Sequence, residues 1–200
     1  MYSSAQQSND TGNHWGTASR FQHPATGIYM AKVLPGYYYL TNEDEMINTV
    51  LGSCVCACIR DPQAGLGGMN HFMLPGKMRG YDPATSDTKS NFANRYGQHA
   101  MDNLIEELIL HGCRESNLEI KLFGGGHVMD IASNIGAENS AFAIEYFEKK
   151  NIPVVSSDFG DDYPRKVNYN PITGKVKMMK LRGAYSGLVS KTESQDLSST

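Results

Sequence analysis

The feature of this sequence that most constrains its fold is a short apolar run, a turn and a second short run. Residues 54–59 combine β-branched side chains with small thiols and are too few for a helix, so they predict a buried strand. The segment Asp61-Pro62-Gln63-Ala64-Gly65 follows, with Asp and Pro at the positions that a type I turn prefers. Residues 68–74 are again strand-like and end at Pro75-Gly76. The pattern predicts a β-hairpin.

This hairpin is expected to bring a thiol and an imidazole together. A turn centred on the Pro-Gln pair of the segment sets Cys54 opposite His71 and Cys56 opposite Met69. Facing residues of an antiparallel pair have Cβ atoms about 4.5–5.5 Å apart. A thiol becomes a good nucleophile when a neighbouring base takes its proton, so Cys54 and His71 are the candidate reactive pair. A shift of one residue would turn His71 to the other face.

The other cysteines, Cys56, Cys58 and Cys113, are expected to be inert core thiols, because cysteine is among the most buried residue types. Alternate positions along one strand are about 6.5 Å apart, which is a poor spacing for a disulfide. The C-x-C-x-C run also differs from the spacing of structural zinc sites, and no second ligand pair accompanies it. The sequence therefore predicts reduced thiols and no metal.

The rest of the chain reads as strands interrupted by two helices. Residues 92–111 repeat apolar side chains at helical spacing, with Gly112 placed to end the helix, and residues 137–150 predict a second amphipathic helix. Further strand-like segments lie at residues 27–34, 37–40, 118–123, 152–156, 167–169 and 176–181. This mixture predicts an α/β fold, a layered sandwich of packed mixed β-sheets covered by two main helices.

Both ends of the chain are polar. Residues 1–25 contain few aliphatic side chains and predict a disordered N-terminal tail, and residues 191–200 predict a disordered C-terminal tail. Residues 26–190 are predicted to form a single domain, because 200 residues with 40% hydrophobic content can bury one substantial core.

Charge and hydropathy argue against two classes of partner. The formal net charge of -3 leaves no basic excess for binding phosphate backbones, so nucleic acid is not an expected partner. No apolar run approaches the ~20 residues that a membrane-spanning helix needs, and the N-terminus lacks the pattern of a secretory signal. The protein is therefore expected in the cytoplasm, without membrane insertion.

Three other polar or glycine-rich features are expected to be structural. Gly124-Gly125-Gly126 lacks the flanking pattern of a phosphate-binding loop and is interpreted as a turn between a strand and a helix. Asn70 and the Arg165-Lys166 pair are expected to be solvated surface residues.

Several spaced segments together resemble one known family. The active-site region of CheD, the chemoreceptor glutamine deamidase family of bacterial chemotaxis, resembles Thr49-Val50-Leu51-Gly52-Ser53-Cys54-Val55, Asp61-Pro62 and Gly67-Gly68-Met69-Asn70-His71-Phe72-Met73-Leu74-Pro75. Further family signatures are matched, in the right order, by Lys121-Leu122-Phe123-Gly124-Gly125-Gly126, Ile135-Gly136 with Asn139, Ser157-Asp158, Arg165-Lys166-Val167, Thr173-Gly174 and Val176. The resemblance covers roughly residues 27–181, and ordered motifs are more specific than any single one.

The resemblance implies that Cys54 is the nucleophile and His71 the general base. The third active-site residue of the family is a threonine six positions before the cysteine, which here is Asn48, with Thr49 beside it. An Asn carboxamide can also accept an imidazole N–H, as in other cysteine hydrolases.

The implied reaction converts a glutamine carboxamide to glutamate through a thioester, without a cofactor. Backbone N–H groups around Ser53 and Cys54, after the turn at Gly52, are candidates to stabilise the oxyanion.

The resemblance implies that the substrate is a cytoplasmic helix of a methyl-accepting chemotaxis receptor and that a CheC-type phosphatase is a partner. Two other interpretations stay open. One is a non-catalytic adaptor that binds receptors or the phosphatase, which Asn48 suggests. The other is a receptor methylesterase that uses the same thiol, because esters and amides share the acyl-enzyme route.

Overall fold

A computed structural model of the protein describes residues 14–80, 92–128 and 134–198, which form both strands and helices. The strands of these residues are β1 (His14–Gly16), β2 (Ser19–Gln22), β3 (Tyr29–Lys32), β4 (Tyr37–Thr41), β5 (Met46–Leu51), β6 (Val55–Asp61), β7 (Leu66–His71), β8 (Glu119–Gly124), β9 (Val154–Phe159), β10 (Arg165–Tyr169) and β11 (Val176–Lys180). The α-helices are α1 (Gly97–Leu110), α2 (Ile135–Lys149) and α3 (Ala184–Ser198), and short 3-10 helices lie at Ala93–Arg95 and Glu115–Asn117.

The strands form two sheets. Sheet A has the order β1-β4-β7-β6-β8-β9, and sheet B has the order β11-β10-β5-β3-β2. Each sheet is mixed, because β9 runs parallel to β8 in sheet A and β3 runs parallel to β5 in sheet B, while the other pairs are antiparallel. The predicted α/β sandwich of mixed sheets is confirmed.

The central strand β6 is buried on both faces, since its side chains alternate between two cores. On one side, Val55, Ala57 and Ile59 pack beneath α1 and α2 in a single apolar cluster. On the other side, Cys56 and Cys58, together with Cys54 just before the strand, pack in the core between the two sheets. The order of layers is therefore helices, sheet A and sheet B, with α1 and α2 as the two covering helices.

The hairpin of β6 and β7 exists, but its predicted register is wrong by two residues. Asp61 pairs with Leu66 and Cys58 with Met69, so four residues and not two form the turn. The Asp61 side chain explains the longer turn, because its Oδ1 accepts hydrogen bonds from the backbone N–H groups of Gln63 and Ala64 at 2.8 and 3.1 Å. A shift of two leaves every side chain on its predicted face.

Both ends of the described chain differ from the sequence prediction. Residues 14–22, predicted as disordered tail, contain β1, which pairs with β4, and β2, which pairs with β3. Trp15 stacks near His111 with ring centroids 4.0 Å apart, a long-range contact that local composition does not reveal. Residues 191–198 belong to α3. Residues 1–13 lie outside the described residues, and the limits 26–190 of a single domain stay a prediction.

The two predicted helices correspond to α1 and α2, and both are confirmed. Neither they nor any other helix of the described residues is long and apolar enough to cross a membrane.

Candidate active site

The loop between β5 and β6 carries Cys54 and is fixed from below by the end of β8. Cys54 is fully buried. Its carbonyl oxygen accepts a hydrogen bond from the N–H of Gly125 at 2.8 Å, and the Gly52 carbonyl accepts one from Gly126 at 2.7 Å. Backbone groups of the triple-glycine segment are therefore bound to the cysteine loop, which agrees with its interpretation as a structural turn.

Gly124 is required where these two segments meet. Its φ of +125° belongs to a region that side-chain-bearing residues rarely adopt, and a Cβ at this position would lie 2.1 Å from the Cys54 carbonyl oxygen. No side chain fits this contact without moving the cysteine loop.

Asn139, on α2, supports the loop from another side. Its Nδ2 donates to the carbonyl oxygens of Ser53 at 3.1 Å and Met73 at 2.8 Å, so it joins the cysteine loop to the end of the hairpin. The side chain is fully buried. Sequence alone offered the Ile-Gly-x-x-Asn motif but no role for this residue.

His71 lies at the end of β7 and contacts Thr49 of β5. The His71 Nδ1 atom is 2.8 Å from Thr49 Oγ1, and Thr49 Oγ1 donates its proton to the Val33 carbonyl oxygen at 2.8 Å. Because a hydroxyl has one proton, Thr49 can only accept from the ring, which assigns the proton of neutral His71 to Nδ1. The Nε2 atom then carries a lone pair, and it is buried without a hydrogen-bond partner.

Asn48 does not make the contact that the family pattern suggested. Neighbouring side chains of a strand point to opposite faces, so Thr49 faces His71 and Asn48 faces away. Asn48 is buried, and its Nδ2 has no hydrogen-bond partner. Among the two residues named from sequence, Thr49 is the one in contact with the imidazole.

Cys54 and His71 share the face of sheet A that meets sheet B, but they are diagonal and not directly opposite. Cys58 pairs with Met69 and Val55 bridges to Phe72, which leaves Cys56 opposite His71 and Cys54 one same-face position further along. Diagonal neighbours remain within reach of long side chains.

Gly52 and Ser53 bind an acidic side chain that the sequence did not single out. Glu193, on α3, accepts hydrogen bonds from the Gly52 and Ser53 backbone N–H groups, both at 2.7 Å, and from Ser53 Oγ at 2.8 Å. The two N–H groups converge on one carboxylate, which is the geometry expected of an anion-binding backbone site. A Cβ at Gly52 would lie 2.6 Å from a Glu193 oxygen.

Burial and the nearby acids favour neutral forms of both reactive groups. Burial raises the pKa of the Cys54 thiol, and the charge and hydrogen bonding of Glu193 and the charge of Asp196 raise it further. Burial lowers the pKa of His71 from 6.5 to about 3, against a smaller opposite effect of the Val33 carbonyl. With α3 in place, the neutral thiol and neutral imidazole are therefore favoured at pH 7.

A cavity of about 550 Å³ lies between the sheet residues around His71 and α3. Thr49, His71 and the Val33-Leu34-Pro35 segment line one side, and Val189, Thr192 and Glu193 of α3 line the other. The candidate base therefore faces a space large enough for part of a substrate.

The remaining cysteines are all free and buried. Cys58 has a raised pKa from burial and from its neighbour Cys56, and burial also raises the pKa of Cys113, to about 11. Within the described ranges, no group of three or more His, Cys, Asp or Glu side chains is arranged to bind a metal ion.

Two residues expected at the surface are buried instead. Asn70 accepts from the Ala57 N–H at 2.9 Å and donates to the Ala100 carbonyl at 2.9 Å, so it joins β7 to β6 and α1. Arg165 is also fully buried, and its guanidinium donates to the carbonyls of Gly124 and Asp158 at 2.8 and 2.7 Å. Both side chains satisfy backbone groups that β-sheet pairing alone leaves open.

Comparison with known proteins identifies related chains. Residues 73–180 match the family described as CheD chemotactic sensory transduction, a span that begins two residues after His71. The chain is 46% identical to the probable chemoreceptor glutamine deamidase CheD of Hydrogenovibrio crunogenus, over 86% of this chain and 88% of that protein. It is 50% identical to the protein of the same name in Methylobacillus flagellatus, over 82% of this chain and 80% of that protein. A third such relative, from Hahella chejuensis, is 44% identical over 88% of this chain and 82% of that protein.

Proposed function

This chain belongs to the CheD family, and on that premise we propose that it is a protein-glutamine deamidase that converts glutamine side chains of chemoreceptors to glutamate. Cys54 is the nucleophile, His71 the general base and Thr49 the residue that orients the imidazole. The proposed site of action is the cytoplasm, where the protein would reach the cytoplasmic helices of receptors. No cofactor takes part.

The observation that carries this proposal is the state of His71. Its Nδ1–H is accepted by Thr49, so its Nε2 lone pair is free and lies on the face that also carries Cys54. An imidazole oriented in this way can take the thiol proton and later give it to the departing ammonia.

The reaction proceeds in two steps. The Cys54 sulfur attacks the carboxamide carbon, the C–N bond breaks, and ammonia leaves with a proton from His71. Water, activated by the same Nε2 atom, then hydrolyses the thioester to leave glutamate and the free thiol. The Gly52 and Ser53 N–H groups, which here bind the two oxygens of one carboxylate, are the proposed donors to the negative oxygen that develops in both steps.

The adaptor interpretation rested on Asn48, and the Thr49 contact weakens that ground, since a threonine hydroxyl does orient His71. Methylesterase activity uses the same thiol and is tested on a methylated receptor fragment. Binding of a CheC-type phosphatase is supported by the family resemblance, and co-elution of the two purified proteins tests it.

The deciding experiment mixes the purified protein with a receptor cytoplasmic fragment and measures released ammonia and fragment mass. We expect a gain of about one dalton for each converted glutamine. Cys54→Ala should abolish the gain, whereas Cys113→Ala, which removes a buried thiol away from the site, should keep it. No mass change with the wild-type protein, or equal conversion by Cys54→Ala, would refute the proposal.

A further inference from the structure

The helix α3 is attached to the protein in an unusual way. A surface helix ordinarily buries a stripe of apolar side chains. Among the α3 side chains that the structure describes, the only buried one is Glu193, with 4% of its surface exposed. Leu188, on the same helix, is 63% exposed. Leu197 packs against the core between the sheets but is only partly buried, and the Asp196 carbonyl accepts a hydrogen bond from Arg95 at 3.2 Å. The most deeply buried contact among the described side chains of α3 is therefore a carboxylate.

No cation accounts for this buried acid. No ion pair joins Glu193 to a Lys, Arg or His among the described residues. Its carboxylate accepts hydrogen bonds from the Gly52 N–H, the Ser53 N–H and the Ser53 hydroxyl, and it also hydrogen-bonds with the Cys54 side chain. Buried carboxylates normally need a cation or several well-placed donors. Here the donors are those of the cysteine loop, next to the candidate nucleophile.

This arrangement matches the end of the proposed reaction. When the thioester is hydrolysed, a glutamate carboxylate on a helical substrate is left beside the thiol, with its oxygens near the same N–H groups. Glu193 is a glutamate on a helix in that position. Its negative charge also opposes ionisation of Cys54 and so disfavours attack while α3 is bound.

We propose that α3 occupies the substrate groove as a built-in competitor, with Glu193 in the place of the product glutamate, so that a receptor helix reaches Cys54 only after α3 withdraws. The proposal rests on the deamidase function and adds the binding mode of its substrate. We define the groove as the cavity lined by the Val33-Leu34-Pro35 segment, His71 and α3, together with the Gly52 and Ser53 N–H groups that Glu193, one of the lining residues, now covers.

The contacts of α3 also describe the substrate that fits this groove. Val189, one helical turn before Glu193, and Thr192 beside it line the same cavity. The preferred substrate is therefore an α-helix that presents a glutamine with an apolar residue four positions before it.

The first test measures how fast iodoacetamide alkylates Cys54 in the full chain, with peptide mass analysis to separate it from the three other thiols. Glu193→Ala should raise the alkylation rate at pH 7.5 by about tenfold or more, because α3 loses its main contact and Cys54 loses a nearby negative charge. Lys191→Ala, an exposed change on the same helix, should leave the rate unchanged. Equal rates for Glu193→Ala and wild type would overturn the proposal.

Receptor deamidation by the same variants separates this inference from the proposed function. Faster alkylation together with faster deamidation supports both. Faster alkylation with no deamidation by any variant would refute the deamidase function while leaving the covering role of α3. Faster alkylation with deamidation no faster than that of wild type would refute competition between α3 and the substrate.

The second test makes α3 itself a substrate. In Glu193→Gln, the Cys54 sulfur can bond to the side-chain carbon, ammonia leaves, and water releases glutamate at position 193. We expect that peptide to gain about one dalton during incubation, while the native Gln195 stays unchanged. The double variant Cys54→Ala with Glu193→Gln should keep its glutamine. An enzyme that deamidates receptors but never converts Gln at 193 would show that Glu193 does not occupy the product position.

Discussion

The two sides of the reaction site are built in opposite ways. On the sheet side, Cys54, His71 and Thr49 are buried. The glycine segment after β8 and Asn139 of α2 hold the cysteine loop by hydrogen bonds, and Thr49 contacts the His71 ring. On the helix side, the Glu193 carboxylate is the only buried side chain among those described for α3, beside a partly buried Leu197 and a hydrogen bond from Arg95 to the Asp196 carbonyl. The reactive groups therefore keep their geometry until the whole domain unfolds, whereas access to them can change when α3 alone detaches.

The largest expected effect concerns the sheet side. Arg165→Met should lower the free energy of unfolding by about 3 kcal/mol. It removes the side-chain donor to the Asp158 carbonyl and one of two donors to the Gly124 carbonyl, and it breaks the ion pair with the partly exposed Asp158 carboxylate at 3.0 Å. Urea unfolding followed by circular dichroism measures the change. The matched variant Lys166→Met, on the next residue of β10, should change stability by less than about 1 kcal/mol. A loss of that small size for Arg165→Met would contradict the rigid sheet side.

The next effect concerns the orientation of the base. Thr49→Val keeps the shape of the side chain but removes the acceptor for the His71 Nδ1–H, so kcat should fall by about 100-fold, the order that a positioned base contributes. Thr49→Ser retains a hydroxyl and should recover much of the rate. Asn48→Ala, which changes the side chain on the opposite face, should alter kcat far less. If Asn48→Ala were the more harmful change, the assignment of Thr49 as the orienting residue would be wrong.

A third effect is the acid sensitivity that the buried imidazole imposes. Above pH 6.5 His71 is neutral in both the folded and the unfolded chain. Between pH 6.5 and about 3 the unfolded chain binds a proton at His71 that the folded chain excludes, so stability falls as the pH falls. The slope for one group is about 1.4 kcal/mol per pH unit. Between pH 7 and pH 4 the free energy of unfolding should fall more steeply with decreasing pH for wild type than for His71→Gln. Equal slopes for the two proteins would contradict a buried neutral imidazole.

The smallest effect concerns the helix side. Glu193→Ala should lower the free energy of unfolding by less than about 1 kcal/mol. The described side chains of α3 bury little apolar surface, and the Gly52 and Ser53 N–H groups can bind water once Glu193 no longer covers them. The measurement is the same urea titration as for Arg165→Met. A loss as large as that of Arg165→Met would mean that α3 is part of the core and not a replaceable cover.

The sequence predicted the fold class because local patterns report local structure. The apolar run of β6, the helical spacing of α1 and the turn at Asp61 each depend on residues near one another in the chain. The register of the hairpin failed for a specific reason: Asp61 bonds to two N–H groups of the turn and so extends it to four residues. Because the error was two and not one, the predicted face of His71 was still correct.

The rest of the site depends on contacts between distant segments. Side chains of β5 alternate between two faces, and this alternation places Thr49, not Asn48, against His71. The spacing of the family motif alone did not identify which of the two residues makes this contact. Arg165 and Asn139 hydrogen-bond to backbone carbonyls from distant segments, and such partners cannot be predicted from neighbouring residues in the sequence. Glu193 lay in a polar segment that predicted disorder, and nothing in its neighbourhood in the sequence points to Gly52 or Ser53.

The close contact between Gly124 and the carbonyl of Cys54 has a consequence for genetics. A single added methyl group at position 124 would collide with the Cys54 carbonyl and displace the nucleophile, although it would not contact a substrate. A library of point substitutions screened for lost activity would therefore report two sensitive regions far apart in the sequence. One region would contain Cys54 itself. The other would be Gly124, which has no reactive group and would be sensitive only because it supports the cysteine loop.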